Sequence, residues 1–347
     1  MIKIVPYEDI ILSSKSSIRY AMQTLNKRKY TFFVVVNSLN KVLGSITDGD
    51  IRRAILKGLD INQDVTKCMN KSPIISYKKG KRIYKNLLNK VKGTVKFLPI
   101  LDKNNKILFV VLEDKFSNSN TALIMAGGFG KRLGNKTKSM PKPLLKIGDR
   151  SVLETLIKRL ESAKYKNIFI STFYLHSKIE SFIKNRNSVA NIKVLIEKEP
   201  LGTAGSISML NKEEFDFLTV INGDIVSDIN LEALEVFHKE RENDITITVA
   251  DYAYTIPFGV VNFDKNHNYK SLVEKPEIRN FILSGIYCLN KSVCSLVEQN
   301  FQDMPNLISK AHQLGYKIGI FPLYEYWNDI GTLNKFNLEI KRQKNQN

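Results

Sequence analysis

The sequence predicts an α/β protein with a mixed, mostly parallel sheet, preceded by a smaller part of α+β type. After residue 120, apolar strand-like runs alternate with amphipathic helix-like segments, which is typical of parallel strands connected by helices. Before residue 117, two similar units follow one another, each with an amphipathic helix and two apolar strands. A polar stretch at 117–120 separates these patterns and has the composition of a linker. We therefore expect an N-terminal part over 1–116, with units at about 1–73 and 74–116, and a C-terminal domain over 121–347.

The composition is that of an ordinary globular protein. Of the 347 residues, 43% are hydrophobic and 25% are charged. No apolar run reaches the ~18 residues that span a bilayer, and the N-terminus does not resemble a signal peptide, so we expect a cytoplasmic protein without membrane contact. Three unpatterned cysteines and four scattered histidines argue against a disulfide framework and against a zinc site.

The net charge of +19 is concentrated near the N-terminus. The first 120 residues hold 23 Lys and Arg against 9 Asp and Glu. A basic surface attracts nucleic acid or phosphorylated small molecules. Because the lysines are dispersed and no nucleic-acid motif is present, a generally lysine-rich composition is favoured first, nucleotide binding second and nucleic acid last.

Each N-terminal unit has the order helix, strand, polar turn, strand. The helices are SSIRYAMQTLNK and GKRIYKNLLNKV, and the strand pairs are TFFVVV with KVLGSIT and VKFLPIL with KILFVVL. A unit of this size cannot close its own core, so we expect the two units to pair.

The C-terminal domain begins with TALIMAGG, an apolar run that predicts a buried strand entering a tight loop. Ser151 and Glu154 have the spacing of a capping box, which predicts the start of a helix. The pattern then predicts, in order, the helix SVLETLIKRLESAK, the strand NIFIST, the helix SKIESFIKN, the strand IKVLIE, the helix TAGSISML, the strand DFLTVING and the helix LEALEVFHKE. Strand patterns dominate from about 245 to 290, and TLNKFNLEIKRQ predicts a final helix.

The segment AGGFGKRLGNKTKSMPKPLLKI, residues 126–147, carries the sharpest functional signal. Its glycines follow a buried strand, where they let the backbone turn tightly and direct N–H groups at an anion. Arg132 and Lys142 add two cations where a triphosphate would lie. The loop is not a P-loop, because no GK[ST] follows, and Leu133 replaces the third glycine of the dinucleotide fingerprint.

This glycine loop followed by PKPLLKI closely resembles the signature of the sugar-1-phosphate nucleotidyltransferases. The resemblance covers about 121–340, and further landmarks occur in the family's order: EKEPLGTAG, INGD, PFGVV, SLVEKP, SGIY and YWNDIGT. It implies a Rossmann-like nucleotidyltransferase fold, in which a sugar 1-phosphate oxygen attacks the α-phosphorus of a nucleoside triphosphate and pyrophosphate leaves. Catalysis of this kind consists mostly of positioning and charge neutralisation.

The resemblance also implies roles for individual residues, although a single Asp after a strand is more often a cap. Asp224 and Asp329 would hold Mg²⁺ as two carboxylates from separate strand ends, and Trp327 is expected to pack beside the second. The catalytic cations would be Arg132 for pyrophosphate, Lys142 for the triphosphate and Lys275 for the sugar phosphate. The expected nucleotide-binding residues are Leu123, Ala126, Gly127, Gly128, Gly130, Glu197, Pro200, Gly202 and Thr203. The expected sugar-binding residues are Gly259, Glu274, Ser284 and Gly285.

Glu197 lies where the family recognises the base edge. A carboxylate there accepts hydrogen bonds from the N1–H and N2–H₂ groups of guanine. EKEPLGTAG is also similar to the segment of guanylyltransferases that act on mannose and heptose phosphates, which favours GTP over UTP, CTP and dTTP. A surface position at the end of a strand is the alternative for Glu197 and for Glu199.

GSITDGDIRRA, residues 44–54, resembles the signature of the CBS domain, which pairs with a second copy to bind adenosine or guanosine nucleotides. Thr47 and Asp50 would contact a ribose, and Arg52 or Arg53 would meet phosphates. A scaffold that only pairs subunits is the alternative.

The second unit departs from this CBS pattern. Val111 stands where the threonine would be, while Asp114 keeps the acidic position. One well-formed nucleotide site at most is therefore expected in the pair. Because CBS pairs often stack into dimers, the resemblance also implies a homo-oligomer.

A CBS pair followed by a nucleotidyltransferase resembles the glucosamine-1-phosphate guanylyltransferases of bacterial legionaminic-acid biosynthesis. This implies transfer of GMP from GTP to glucosamine 1-phosphate, for surface-glycan or nonulosonic-acid biosynthesis, with Glu274 binding a sugar hydroxyl or amine. Mannose or heptose 1-phosphate, or another nucleoside triphosphate, is the first alternative. A catalytically silent nucleotide-sensing subunit is the second, although the intact catalytic residue types argue against it.

Overall fold

The structure is a computed structural model that describes residues 2–28, 30–91, 95–113 and 121–344. In these ranges the expected fold class is confirmed: a seven-stranded, mostly parallel sheet follows two small sheets. The expected linker at 117–120, and Asp114 of the second unit, lie outside the described residues. The boundaries between domains therefore stay a prediction.

The N-terminal part contains two three-stranded sheets, with the strand orders β2-β3-β4 and β1-β6-β5. Its elements are β1 (Ile2–Val5), β2 (Ile11–Ser13), α1 (Ile18–Lys27), β3 (Phe32–Val36), β4 (Val42–Thr47), α2 (Asp48–Leu56), α3 (Lys81–Leu88), β5 (Lys96–Leu101) and β6 (Ile107–Glu113). The first strand of the chain completes the sheet of the second unit, because β1 pairs antiparallel with β6. The repeat pattern in the sequence did not indicate that a strand of the first unit joins the sheet of the second.

The two N-terminal units pack against each other through apolar side chains. The rings of Phe32 and Phe97, one from each unit, stack with centroids 4.0 Å apart. Ile10 and Val110 are fully buried in the same cluster. Each small sheet thus buries the face that it could not bury alone.

The C-terminal part is built on the strand order β11-β10-β7-β12-β17-β14-β18, in which only β17 runs opposite to the others. Its strands are β7 (Thr121–Met125), β8 (Lys146–Ile147), β9 (Arg150–Ser151), β10 (Asn167–Thr172), β11 (Asn191–Ile196), β12 (Phe217–Asn222), β13 (Ile225–Ser227), β14 (Ile245–Thr255), β15 (Val260–Phe263), β16 (Tyr269–Val273), β17 (Glu277–Asn290), β18 (Ile318–Leu323) and β19 (Trp327–Asp329). Its helices are α4 (Val152–Ser162), α5 (His176–Lys184), α6 (Leu231–Glu240), α7 (Lys291–Cys294), α8 (Met304–Gln313) and α9 (Leu333–Lys344).

Helices cover both faces of the large sheet, as a parallel sheet requires. One apolar cluster joins the sheet to α4, α6 and α9, and a second joins the other face to α7 and α8. Ser151 begins α4 as expected, because its hydroxyl accepts a hydrogen bond from the N–H of Glu154 at 3.2 Å. Cys68, Cys288 and Cys294 are free thiols.

The helix expected over TAGSISML is wrong, since the chain there forms only a 3₁₀ turn, Gly205–Met209. The cause is a close approach between two chain segments. A Cβ on Gly205 would lie 2.4 Å from the carbonyl oxygen of Asn300. The carbonyl oxygen of Gln302 accepts hydrogen bonds from the N–H groups of Ala204 and Gly205. These long-range contacts fix the backbone in place of a regular helix.

Residues 251–281 form an arm that projects from the sheet. In the arm, β14 and β17 continue as a two-stranded ladder for five residue pairs, from Asp251 opposite Phe281 to Thr255 opposite Glu277. At about 3.4 Å per residue the ladder extends about 17 Å. The hairpin of β15 and β16 lies at its tip.

Among the described residues, no helix is both long and apolar enough to cross a membrane.

Candidate active site

A cleft of about 440 Å³ lies at the carboxyl ends of β7 and β12. Parallel α/β sheets place their ligand sites at this edge. The cleft brings together most of the residues that the sequence singled out: Ala126, Gly127, Gly128, Gly130, Arg132, Lys142, Glu197, Pro200, Gly202, Thr203 and Asp224.

The glycine loop after β7 needs glycine for two distinct reasons. Gly130 has a φ of 66°, in the left-handed region, and a Cβ there would lie 2.8 Å from the Thr137 methyl group. Thr137 in turn donates a hydrogen bond to the Gly130 carbonyl at 3.0 Å, which closes the loop. At Gly127 a Cβ would lie 3.0 Å from a carboxylate oxygen of Glu197.

Lys142 and Asp224 form an ion pair on the wall of the cleft. Lys142 is only 9% exposed, so its cation is held in place rather than solvated. Asp224 follows β12, and Gly223 between them donates its N–H to the carbonyl of Met125 at 2.8 Å. A Cβ on Gly223 would lie 2.8 Å from that oxygen, which explains the glycine of INGD.

Asp329 reaches the same region from β19. This strand pairs antiparallel with β13, with Asp329 opposite Ile225, and the N–H of Ile330 donates to the carbonyl of Asp224 at 3.1 Å. Burial would raise the pKa of Asp329, but hydrogen bonds from the Lys335 ammonium at 2.9 Å and the Gly331 N–H at 2.7 Å outweigh it and lower that pKa.

The donor set at this corner fits a hard divalent cation. Asp224 and Asp329 offer carboxylate oxygens, and the buried amide oxygen of Asn222 has no hydrogen-bond partner. Among the described residues, no group of three or more His, Cys, Asp or Glu could hold a metal by itself. A pair of carboxylates completed by water and substrate phosphate is the way proteins usually bind Mg²⁺.

Arg132 lies at the same corner. A Cβ on Gly331 would be 3.3 Å from its guanidinium and 2.7 Å from a carboxylate oxygen of Asp329. The glycine of YWNDIGT therefore leaves room for these two side chains, which the sequence could not show.

Glu197 lines the cleft beside Gly127 and is 6% exposed. One of its carboxylate oxygens accepts a hydrogen bond from the Ser171 hydroxyl, and the other accepts from the Leu201 N–H at 3.0 Å. The surface alternative for Glu197 is therefore wrong. Glu199, two residues further along the chain, is exposed and does fit the surface alternative.

Gly202 and Thr203 lie where the cleft meets the start of α8. Gly202 has a φ of 75°, and a Cβ there would lie 2.7 Å from the carbonyl oxygen of Gln302. The Thr203 hydroxyl donates to Asp303 at 3.1 Å and accepts from the Met304 N–H at 2.8 Å. Thr203 thus ties the loop to the helix.

Sequence reasoning missed several residues of the cleft. Phe129 and Phe301 are 42% and 64% exposed, and both line it. Phe129 lies inside the glycine loop, so its position gave a signal. Phe301 lies in an irregular segment about one hundred residues from the base-recognition motif, and no pattern marks it. Asn222 belongs to INGD, whose aspartate drew attention instead.

Two expected ligand-binding residues are core residues instead. Leu123 is fully buried in the sheet and does not line the cleft, because its side chain packs among the apolar residues on the α7 and α8 face. Ser284 is also fully buried, and its hydroxyl bonds to the hydroxyl and the carbonyl oxygen of Thr248. Its backbone carbonyl accepts a hydrogen bond from the Trp327 indole at 2.7 Å.

The other sugar-related residues are divided between the sheet and the arm. Gly285 packs against Asn222 beside the cleft. Gly259, Glu274 and Lys275 lie together in the arm and do not line the cleft. Lys275 has a φ of 47°, an unusual conformation for a residue other than glycine, and its N–H bonds to the Phe258 carbonyl.

In the N-terminal part, Thr47 and Asp50 form a capping box at the start of α2. The Thr47 hydroxyl accepts from the Asp50 N–H at 3.2 Å, and the Asp50 carboxylate accepts from the Thr47 N–H at 2.8 Å. Arg53 pairs with Asp50. Arg52 is fully buried against the C-terminal part, so it is not available to a phosphate. In the second unit Val111 is buried in β6.

Comparison with known proteins identifies two regions of the chain. Residues 121–346 match the family model described as nucleotidyl transferase, and residues 5–57 match that of the CBS domain.

Among curated proteins, the chain is 32% identical over 225 residues to the mannose-1-phosphate guanyltransferase of Aspergillus oryzae. It is 29% identical over 227 residues to the mannose-1-phosphate guanylyltransferase catalytic subunit beta of Drosophila pseudoobscura. The matches span 62% and 63% of this chain and 62% and 61% of those relatives.

Among solved structures, HddC from Yersinia pseudotuberculosis complexed with GMP-PN aligns with a TM-score of 0.51 at 25% identity. The alignment covers 64% of this chain and 99% of that one.

Proposed function

Because the chain belongs to the nucleotidyl transferase family, we propose that it is an enzyme that transfers a nucleotidyl group from a nucleoside triphosphate to a sugar 1-phosphate. The observation that carries the proposal is the convergence of the glycine loop, the Lys142–Asp224 pair and Asp329 on one corner of the sheet. The products would be a nucleoside-diphosphate sugar and pyrophosphate.

GTP is the proposed donor. The relatives with 28–32% identity are named guanyltransferases or guanylyltransferases, and HddC was solved with GMP-PN. Glu197 supports the same choice, since it is a buried carboxylate on the wall of the cleft. Each carboxylate oxygen accepts one protein hydrogen bond and keeps a second lone pair for a guanine N–H group.

The acceptor is proposed to be a hexose 1-phosphate. The resemblance of the domain order to legionaminic-acid enzymes favours glucosamine 1-phosphate, whereas the names of the relatives favour mannose 1-phosphate. Glu274 is the residue of the arm that would bind a sugar amine or hydroxyl, and Lys275 beside it would meet the sugar phosphate.

The remaining residues of the cleft position the triphosphate. The backbone N–H groups of the glycine loop and Arg132 would bind the leaving pyrophosphate, and Lys142 would stabilise charge at the α-phosphorus. Asp224 and Asp329 would hold Mg²⁺, which supplies charge neutralisation at the phosphate oxygens when bound. Fixed cations of this kind each contribute a few kcal/mol of transition-state stabilisation.

The test is pyrophosphate release by the purified full chain with Mg²⁺, one of four nucleoside triphosphates and a panel of sugar 1-phosphates. The panel contains glucosamine, N-acetylglucosamine, mannose and glucose 1-phosphates. Release that requires GTP and glucosamine 1-phosphate supports the whole proposal. Release with GTP and mannose 1-phosphate keeps the donor and replaces the acceptor.

Release with another nucleotide would remove the argument from Glu197 and keep the reaction class. No release under any pairing, with or without AMP or ATP as an effector, would contradict the proposal. It would favour the silent nucleotide-sensing subunit instead.

A further inference from the structure

The contact between the N-terminal part and the catalytic sheet is centred on one buried cation. Arg52, on α2, has no exposed side-chain surface. Its Nε atom is 2.6 Å from a carboxylate oxygen of Asp48, and one Nη atom is 2.9 Å from a carboxylate oxygen of Glu325. The side chain of Glu325 is itself completely buried. A buried charge is tolerated only when it is paired, so these three groups depend on one another.

Aromatic rings and backbone complete the surroundings of Arg52. Its guanidinium carbon lies 3.6 Å from the ring centroid of Phe321 and 4.3 Å from that of Tyr324. Another N–H group donates to the carbonyl of Pro322. Although burial lowers the pKa of Arg52, the neighbouring carboxylates outweigh it and raise that pKa, so the cation persists at every ordinary pH. The planar guanidinium donates hydrogen bonds to Asp48, Pro322 and Glu325, an arrangement that the ammonium group of a lysine could not reproduce.

The segment that Arg52 holds leads directly to the proposed metal site. The residues of this segment that Arg52 contacts lie within 321–325, which spans the end of β18 and the start of its connection to β19, and β19 ends at Asp329. The carboxylate of Glu325 also accepts a hydrogen bond from the N–H of Asn230 at 3.3 Å, just after the β13 segment that follows Asp224. Glu325 thus precedes β19 by two residues and is bonded to the chain just after β13, so it links the two strands that adjoin the proposed metal-binding carboxylates, Asp329 at the end of β19 and Asp224 directly before β13.

The face of α2 beside Thr47 is closed rather than open to a ligand. The space between Thr47 and α6 is a cavity of about 10 Å³, lined from the other side by Val236, Phe237 and Glu240. Nucleotide pockets are some hundreds of Å³ in volume. At this face the described residues of the CBS signature pack against α6 and so attach the N-terminal part to the large sheet.

We infer that Arg52 is a positioning residue for catalysis, acting through Glu325 on the register of β13 and β19 and so on the spacing of Asp224 and Asp329. The N-terminal module is then a structural component of the active site. The inference rests on the proposed function for its catalytic part. It stands on its own for its conformational part, because Trp327, the only tryptophan of the chain, lies in β19 and reports on that strand.

The experiment uses the full chain and three variants: Arg52→Met, Glu325→Gln and the control Lys57→Met. Lys57 is exposed on the same module and its loss removes the same charge as loss of Arg52. Glu325→Gln keeps the shape of the side chain, so it remains informative if Arg52→Met does not fold. Far-UV circular dichroism establishes which variants are folded.

Two readouts separate positioning from simple attachment. The emission of Trp327 should shift to longer wavelength in Arg52→Met or Glu325→Gln, because loss of the strand register releases the indole from the Ser284 carbonyl and exposes the ring to water. The Mg²⁺ concentration for half-maximal pyrophosphate release should rise about 10-fold, as for other supporting residues around metals, while binding of GTP in EDTA changes less than twofold. Lys57→Met should match the parent in both.

A folded Arg52→Met or Glu325→Gln protein with unchanged emission and unchanged Mg²⁺ requirement would overturn the inference. If the parent shows no turnover with any substrate pair, the proposed function fails, and the emission of Trp327 still decides whether Arg52 positions β19. Unchanged emission would then refute the positioning role independently of catalysis.

Discussion

Replacing Glu197 separates its structural role from base recognition. The side chain is 6% exposed and its two carboxylate oxygens accept from the Ser171 hydroxyl and the Leu201 N–H. In Glu197→Gln the amide oxygen can keep the Leu201 bond, while the amide N–H₂ group donates to Ser171 once its hydroxyl turns. In Glu197→Ala both donors remain buried without a partner.

The expected cost of each change follows from these contacts. Hydrogen bonds to a charged group contribute about 1.5–3 kcal/mol and neutral ones about 0.5–1.5 kcal/mol, and the glutamine avoids burying a charge. Glu197→Gln should therefore lower the free energy of unfolding by about 1 kcal/mol. Glu197→Ala should lower it by about 4 kcal/mol, because each unsatisfied buried donor costs about 1–3 kcal/mol.

Specificity should change together with the charge. If the carboxylate accepts from guanine, Glu197→Gln should reduce the ratio of kcat/KM for GTP to that for the other triphosphates by about 10-fold or more, since a bidentate pair discriminates by about 1–3 kcal/mol. Glu199→Gln is the matched control, because Glu199 is exposed nearby and should alter neither stability nor preference.

Urea denaturation followed by circular dichroism measures the first effect, and pyrophosphate release with each triphosphate measures the second. An unchanged preference for GTP in Glu197→Gln would remove this residue from base recognition. Equal destabilisation by glutamine and alanine would refute the hydrogen-bonding argument.

Three further changes test other parts of the site and its scaffold. Asp224→Asn should abolish Mg²⁺-dependent turnover and lower the melting temperature only slightly, because the new amide oxygen still accepts from the Lys142 ammonium; a fully active variant would contradict the metal assignment. Gly285→Ala should lower the free energy of unfolding by about 1–3 kcal/mol and also impair turnover. The reason is that φ at this position is 77° and the new Cβ would lie 2.7 Å from the Asn222 amide. Denaturation curves that overlay those of the parent would refute this steric reasoning. Burial lowers the pKa of His238, whose ring bonds to Asn290, so the folded state holds this ring neutral. The contribution of His238 to stability is therefore lost as the pH falls from about 6.5, the ordinary pKa of histidine, towards its lower pKa in the folded state. Urea midpoints across this range should fall less steeply for His238→Gln than for the parent, and parallel curves would exclude His238 as the cause.

Local patterns predicted most of the large sheet correctly. NIFIST and DFLTVING form β10 and β12 as expected, and LEALEVFHKE forms α6 over the same residues. These elements follow from apolar periodicity, which depends only on neighbours along the chain. The glycine loop was predictable for the same reason, because strand, turn and cation occur within 22 residues.

Contacts between distant segments could not be predicted in this way. The 3₁₀ turn at Gly205 depends on a carbonyl oxygen about one hundred residues away, and Arg52 is buried by residues about 270 positions away. Leu123 was wrongly predicted for a different reason: the resemblance implied that it binds the nucleotide, whereas its side chain faces the core of the sheet. Periodicity identifies a buried position without indicating which of the two sheet faces it joins.

The arm has a consequence for how acceptor choice could change among related enzymes. Glu274 lies 3.0 Å from where a Cβ on Gly259 would be, and the N–H of Lys275 bonds to the carbonyl of Phe258, so the proposed sugar contacts of the arm form one small unit at the end of a two-stranded ladder. That unit is contiguous in the chain, from about 256 to 276, and shares no side chain with the nucleotide cleft. An exchange of this one segment between homologues would therefore transfer these proposed contacts to the sugar and its phosphate, including Lys275, while the glycine loop, Lys142 and the two aspartates stay with the recipient.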